Sequence, residues 1–116
     1  MKPHKYHHVK IRFRIIGLSG KKLSLLQQNV SSAHPITVGK YFKNPKLFVA
    51  SFKIKKGKKY DDLCEFLKAS KIPESTCGLY ISILTTKLIS GVSVPEYVLK
   101  VSRRTGGHID FGFDAS

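Results

Sequence analysis

The chain has 116 residues, of which 41% are hydrophobic and 10% aromatic, and its formal net charge is +14. This composition predicts one folded domain over residues 1–116, with residues 1–8 as a flexible N-terminus, and it excludes a wholly disordered chain. No run approaches the roughly 18 apolar residues that a membrane helix needs, and the basic N-terminus lacks the apolar stretch of a signal peptide. We therefore expect a cytoplasmic protein with no membrane partner.

The first predicted element is a strand over residues 9–15, in which apolar residues alternate with cations. Its apolar face consists of Val9, Ile11, Phe13 and Ile15, and its cationic face of Lys10, Arg12 and Arg14. Gly17 and Gly20 are predicted to end it. A helix follows over residues 21–31, where leucines recur at helical spacing. A connection rich in turn residues comes next, with a possible short strand at residues 37–42.

A second clear strand covers residues 46–55, and it leads into the most basic stretch of the chain. Its early residues are apolar on both faces, which predicts an interior strand covered on both sides near its start. These early residues are Leu47, Phe48, Val49 and Ala50. The lysine loop, as we name residues 53–59, turns at Gly57 and carries five lysines. They are Lys53, Lys55, Lys56, Lys58 and Lys59.

The lysine loop is followed by a predicted helix and a third strand. Asp61 or Asp62 is expected to cap this helix, which runs to about Ser70, because acidic residues suit the positive end of the helix dipole. A strand over residues 78–86 comes next, with alternate apolar residues directed inward.

The third helix has the clearest predicted start, because Ser93 and Glu96 match the spacing of a capping box. The pair Gly106-Gly107 is predicted to end it, and a strand over residues 108–113 follows. The order of elements predicts an α+β fold. We expect a small mixed or antiparallel sheet covered by about three helices, as a variant of the ferredoxin-like architecture.

The positive charge is concentrated in the first half of the chain. Residues 1–60 hold 15 Lys and Arg and no Asp or Glu, whereas residues 61–116 hold 6 Lys and Arg and 7 Asp and Glu. Such asymmetry predicts a basic surface for an anionic partner, although basicity also serves solubility alone. The residues expected to bind the partner are the five lysines of the lysine loop, followed by Arg12 and Arg14.

The titratable residues form no recognisable catalytic or metal-binding pattern. His4, His7 and His8 lie close together, but no cysteine or carboxylate accompanies them within the first 60 residues. Cys64 and Cys77 are not spaced as a metal or redox pair, so reduced thiols are expected. The glycines match no phosphate-binding loop. We therefore predict a non-enzymatic binding protein with no metal and no cofactor.

Binding to nucleic acid would require aromatic side chains beside the cations, for stacking on bases. The phenylalanines of the predicted strands fall on inward-facing positions, namely Phe13, Phe48, Phe52, Phe111 and Phe113. The candidate stacking residues are Tyr41, Phe42, Tyr60 and Tyr80. No helix-turn-helix, zinc-finger or RNP signature is present in the sequence. This shortage of exposed aromatics favours a partner with carboxylates over one with phosphates.

Three segments carry a resemblance to a known family: "FRIIGLSGKKLSLL", "HPITVGKYF" and "SGVSVPEYVLKVSRRTGGHIDFGFDAS". Together they resemble a family of small bacterial domains of unknown function, similar to the immunity proteins of contact-dependent inhibition and other polymorphic toxin systems. The chain departs from that pattern in having no tryptophan. The resemblance implies a protein that binds and neutralises a cognate toxin, and the basic charge implies that the toxin has an acidic contact surface. The alternative is an RNA- or DNA-binding domain that uses the same cations.

Overall fold

A computed structural model of the chain describes residues 7–85, 95–106 and 108–115. Its strands are β1 (His7–Leu18), β2 (Thr37–Tyr41), β3 (Asn44–Lys53), β4 (Cys77–Thr85) and β5 (His108–Ala115). Its α-helices are α1 (Gly20–Asn29), α2 (Asp61–Ala69) and α3 (Glu96–Thr105). Two short 3-10 turns, Ser31–Ala33 and Glu74–Thr76, follow α1 and α2.

The strands form one mixed sheet in the order β2-β3-β1-β4-β5. The first four are antiparallel to their neighbours, whereas β5 runs parallel to β4. The arrangement from β1 to β4 is the βαββαβ unit of the ferredoxin-like architecture. α3 provides the crossover that a parallel neighbour requires, so β5 extends that unit by one strand. The predicted α+β fold is therefore confirmed.

One face of the sheet packs against the helices and forms the core. Its fully buried side chains include Phe13, Ile15, Ala50, Phe52 and Leu79 from the strands, and Leu26, Leu63 and Val98 from the helices. Phe13 and Phe52 are opposite each other on β1 and β3, with ring centroids 5.6 Å apart. Burying a large apolar side chain contributes about 1.5–3 kcal/mol, so the alternation of β1 and β3 decides which face is covered.

β1 is longer than the sequence predicted at both ends. It begins at His7, and His7 and His8 pair with Thr85 and Leu84 of β4, so these two histidines belong to the sheet rather than to a flexible terminus. It also continues past Gly17, because this residue has a φ of +75° and lies within an irregularity of the β1–β3 pairing. A left-handed glycine permits such a bulge without ending the strand.

The starts of α2 and α3 differ from the predicted caps. Tyr60 precedes α2 at the cap position, and its side chain makes no capping hydrogen bond. The carboxylate of Asp62 instead accepts hydrogen bonds from the backbone N–H of Ser32, at 3.1 Å, and from the Ser32 hydroxyl. The same carboxylate accepts the Leu63 backbone N–H at 2.8 Å, so Asp62 satisfies one donor in the first turn of α2 and also joins α2 to the turn after α1.

α3 begins at Glu96 with Pro95 at the cap position, two residues after the cap residue Ser93 that the capping box implied. The Glu96 carboxylate pairs with Arg103 at 2.7 Å, and Ser93 lies outside the described residues. The predicted glycine stop is confirmed for Gly106, whose φ of +71° ends the helix in the left-handed conformation. A Cβ at this position would also collide with the Glu74 carboxylate.

Candidate functional site

The side of the sheet that faces away from the helices carries a row of cations. Lys10, Arg12 and Arg14 project from β1, and the pairing registers place Lys53 of β3 and Tyr80 of β4 on either side of Arg12. We call these five residues the open face, because no helix of the described residues packs against them. The predicted strand alternation therefore brings Arg12, Arg14 and Lys53 together on one surface.

The open face also corrects one expectation about β3. Leu47 and Val49 were predicted to be covered by a second layer, but they lie on the side of the sheet opposite the core residues Phe48, Ala50 and Phe52. They are half-buried by their neighbours within the sheet. β3 is an interior strand, as predicted, but its helices lie on one side only.

Arg12 is held in a fixed position on the open face. Its Nε donates to the Ser51 hydroxyl at 2.5 Å, and its Nη2 donates to the Ser51 carbonyl and to the Thr37 hydroxyl, both at 3.1 Å. Its Nη1 has no hydrogen-bond partner among the described residues. Guanidinium hydrogens bind the oxygens of phosphate and carboxylate groups, so the anchored side chain presents the charge and the Nη1 hydrogens in a fixed position to an anion.

Arg14 lies against the ring of Tyr80. The guanidinium carbon is 4.6 Å from the ring centroid, which is the distance of a cation–π contact. Arg14 itself is exposed, so its guanidinium remains accessible to solvent beside the ring. Asp110 of β5 neighbours Tyr80 in the β4–β5 register, and the cationic row therefore ends at β4.

The acidic residues of the described segments offset charges elsewhere. The two ion pairs formed among the described residues are Arg103–Glu96 and Arg104–Asp61, each with an N–O distance of 2.7 Å. Both involve α3 and lie outside the open face. Neither ion pair of the described residues involves Lys10, Arg12, Arg14 or Lys53, and the carboxylate of Asp110 lines a pocket beside Arg14 and Tyr80. The excess of positive charge on this surface favours the approach of an anionic partner.

The lysine loop is divided between two grooves rather than forming one surface. A sheet-end groove of about 220 Å³ is lined by Lys10, Arg12, Lys53, Lys55 and Tyr97, among others. A loop groove of about 430 Å³ lies between the loop, α2 and α3, and its lining includes Lys58, Lys59, Cys64, Tyr97, Lys100 and Arg104. Lys56 is exposed at the turn between them.

The path of the lysine loop is fixed by contacts with the helix layer. The buried hydroxyl of Tyr60 accepts a hydrogen bond from the Lys55 backbone N–H at 2.9 Å. The Lys58 ammonium lies 3.5 Å from the His34 carbonyl oxygen. Burial raises the pKa of Tyr60, although the Lys55 N–H partly opposes that shift. The lysines thus extend from a supported turn.

The four candidate stacking residues of the sequence, and Tyr97 in addition, lie in different parts of the fold. Tyr60 is only 4% exposed, so it was wrongly considered for base stacking. Phe42 is 85% exposed at the tip of the β2–β3 hairpin, where Tyr41 meets it edge-on at 5.5 Å. Tyr80 lies on the open face and is half-buried. Tyr97 was missed as a candidate, since its sequence neighbours are those of an amphipathic helix.

The remaining reactive groups are the two cysteines and the potential metal ligands of the described residues. Cys64 is partly exposed and Cys77 is buried, and both are free thiols; burial raises the pKa of Cys77. Among the described residues, no three His, Cys, Asp or Glu side chains are placed to hold a metal ion. His4 lies outside those residues. In the same segments, none of the helices has the length and apolar character to cross a bilayer.

No known relative indicates what the open face binds. Comparisons with protein-family models, curated proteins and solved structures found no match for this chain. The resemblance to bacterial immunity proteins therefore stays a prediction. What the geometry provides is a cationic sheet surface with one anchored arginine and one arginine over a tyrosine ring, a basic groove at the end of the sheet, and a second basic groove between the lysine loop and the helices.

Proposed function

We propose that this chain is a non-enzymatic module that binds single-stranded nucleic acid through the open face. The observation that carries the proposal is the grouping of four cations with Tyr80 on a sheet surface against which none of the described helices packs. Sheets of this size in RNA-binding domains accommodate about two or three bases. Tyr80, one of the four candidate stacking residues of the sequence, lies among these cations, and this grouping favours phosphates over carboxylates as the partner's anionic groups.

The proposed contacts divide into charge and stacking. Lys10 and Arg14 are four residues apart on β1, a separation of about 13 Å along the strand, so the row matches several consecutive phosphates of an extended chain. Arg12 would donate single hydrogen bonds through Nη1, because its Nε and Nη2 hydrogens are already donated to Ser51 and Thr37. Arg14 would receive a base on the outer face of its guanidinium, since arginine planes stack on unpaired bases as aromatic rings do.

Fluorescence anisotropy with a labelled single-stranded oligonucleotide tests this proposal. Contacts from four cations predict that log K falls with log salt with a slope of about −3, at about 0.7 per neutralised phosphate. Arg14→Lys keeps the charge and removes the plane, so we expect affinity to fall about five-fold, as for about 1 kcal/mol of lost stacking, with the slope unchanged. Arg103→Lys, on α3, is the control.

Two results would contradict the proposal. Absence of binding to both RNA and DNA at physiological salt would remove nucleic acid as the partner. If Arg14→Lys binds with unchanged affinity, Arg14 does not stack on a base and contributes only its positive charge. Because the proposed partner is found inside the cell, the proposal includes a cytoplasmic location.

A second candidate function is the neutralisation of a cognate toxin with an acidic contact surface. The observation that favours it is the β2–β3 hairpin, where Val38 is 40% exposed and Phe42 is 85% exposed. Lys40 and Lys43 flank this apolar tip. An exposed aromatic anchor inside a charged rim suits a protein interface, where buried aromatic residues supply most of the binding energy.

Co-expression with a toxin encoded beside this chain tests the second candidate. The chain should restore growth, and Phe42→Ser should abolish the rescue while leaving the melting temperature unchanged, because the ring is almost wholly exposed. Rescue that is equally strong with Phe42→Ser would exclude the hairpin as the contact. Failure of the wild-type chain to bind or neutralise the toxin would exclude the function itself.

A further inference from the structure

We infer that the nucleic-acid strand continues beyond the open face, passes Tyr97 and enters the loop groove. The inference rests on the proposed function and specifies its substrate class: an unpaired strand of about eight or more nucleotides, within the range of known single-strand sites. The observation behind it is that Tyr97 lines both the sheet-end groove and the loop groove.

The first step in the path is the sheet-end groove. It contains Lys10, Arg12 and Lys53 of the open face together with Lys55 of the lysine loop. Ile11, Ile54 and Tyr97, which pack in or against the core, complete its lining, so the groove opens towards the helix side at the end of the sheet. Three of its lining residues also belong to the open face, and the proposed path therefore passes around the end of the sheet at Lys53. A chain that leaves the open face at Lys53 finds the next cation at Lys55.

Tyr97 lies where the two grooves meet. Its ring packs partly against the core and is half-exposed, so one part of the side chain is fixed and another is open to solvent. A ring held in this way stacks on a base with little loss of side-chain entropy, and every base has a flat face to offer. Tyr97 thus supplies an aromatic platform between two sets of cations.

The loop groove has the charge needed for the next phosphates. Its lining contains the cations Lys58, Lys59, Lys100 and Arg104, against the single carboxylate of Asp61. Asp61 is paired with Arg104 at 2.7 Å, so it offsets that arginine and leaves the three lysines as the excess charge. Phosphates bound in this groove would neutralise the repulsion among these three lysines.

The direction of this path selects an unpaired strand. It turns from the open side of the sheet to the helix layer, since α3 packs against α2 on the core side while Lys53 lies on the opposite face. Duplex DNA has a persistence length of about 150 base pairs, so such a turn within one small domain would cost several kcal/mol. A flexible single strand follows the turn without that cost.

Anisotropy measurements with labelled oligonucleotides of two lengths test the path. An oligonucleotide of about three nucleotides should occupy the open face alone, whereas one of about ten should reach the loop groove. The double variant Lys59→Ala/Lys100→Ala should weaken binding of the long oligonucleotide and lower its salt slope by about 1.4, with no effect on the short one. Lys21→Ala/Lys22→Ala, on α1, removes the same charge as a control.

Tyr97→Leu separates stacking from charge, because leucine keeps the apolar contact with the core. It should reduce affinity for the long oligonucleotide about five-fold or more, with the salt slope and the affinity for the short one unchanged. A duplex of the longer length should not respond to the lysine variant. If the wild type binds but neither variant discriminates by length, the path is wrong while the proposed function stands; if no oligonucleotide binds, the proposed function itself fails.

Discussion

The hydroxyl of Tyr60 stabilises the lysine loop through a hydrogen bond, and Tyr60→Phe measures the contribution of that bond to the free energy of unfolding. The ring is 4% exposed and its oxygen accepts from the Lys55 N–H at 2.9 Å. Phenylalanine keeps the packing and removes only the acceptor, so no cavity forms. Loss of such a bond costs about 1 kcal/mol, which corresponds to about 4 °C in melting temperature for a domain of this size. Tyr41→Phe is the control on a half-exposed ring.

The same variant carries a pH signature. Burial raises the pKa of Tyr60 above its ordinary value of 10.0 in the folded state. The resulting stability is present below pH 10.0 and is lost as the pH rises through the folded-state value, because the unfolded chain then ionises first. In urea titrations, the stability difference between wild type and Tyr60→Phe should therefore shrink at alkaline pH. A difference that stays constant or grows would refute the buried-hydroxyl account.

Three other substitutions or reagents probe the fold. Burial alone would raise the pKa of Asp62, but hydrogen bonds from Ser32, Leu63 and Ser31 outweigh the effect of burial and lower that pKa below 3.8. The wild type should therefore lose stability in acid unfolding as the pH falls below 3.8 through the folded-state pKa of Asp62. Asp62→Ala, in urea titrations at neutral pH, should cost about 1–3 kcal/mol, and an unchanged midpoint would contradict its role between the helices. Gly106→Ala should lower the melting temperature, because φ of +71° costs an L-residue about 1–2 kcal/mol; an unchanged value would contradict the left-handed cap. A thiol reagent should modify Cys64 well before Cys77, whose burial raises its pKa, and equal rates would argue against the packing of β4.

The order of the elements was predictable because each strand and helix has its own periodicity. Phe13 and Arg12 alternate in the sequence and lie on opposite faces of β1 in the structure. Pattern alone could not assign Gly17, since a glycine after a strand signals an end and a bulge equally well. Nor could it assign Asp62, because its partner Ser32 is distant in sequence and comes close only when α1 and α2 pack.

The candidate site was predictable in part. Arg12 and Arg14 were identified from alternation, and the structure places them with Lys53 on one surface. The lysine loop was expected to act as one unit, yet a turn directs its lysines into two grooves, and sequence spacing carries no information about that division. Tyr97 could not be identified from the sequence, because its position beside the lysine loop depends on the tertiary packing of α3.

A two-dimensional NMR titration with a short single-stranded oligonucleotide tests the central proposal most directly. The backbone amides of Lys10, Arg12, Arg14, Lys53 and Tyr80 should shift together and saturably, while the amides of α1 stay in place. Shifts confined to the β2–β3 hairpin, to α1, or absent from the open face would contradict nucleic-acid binding by the sheet.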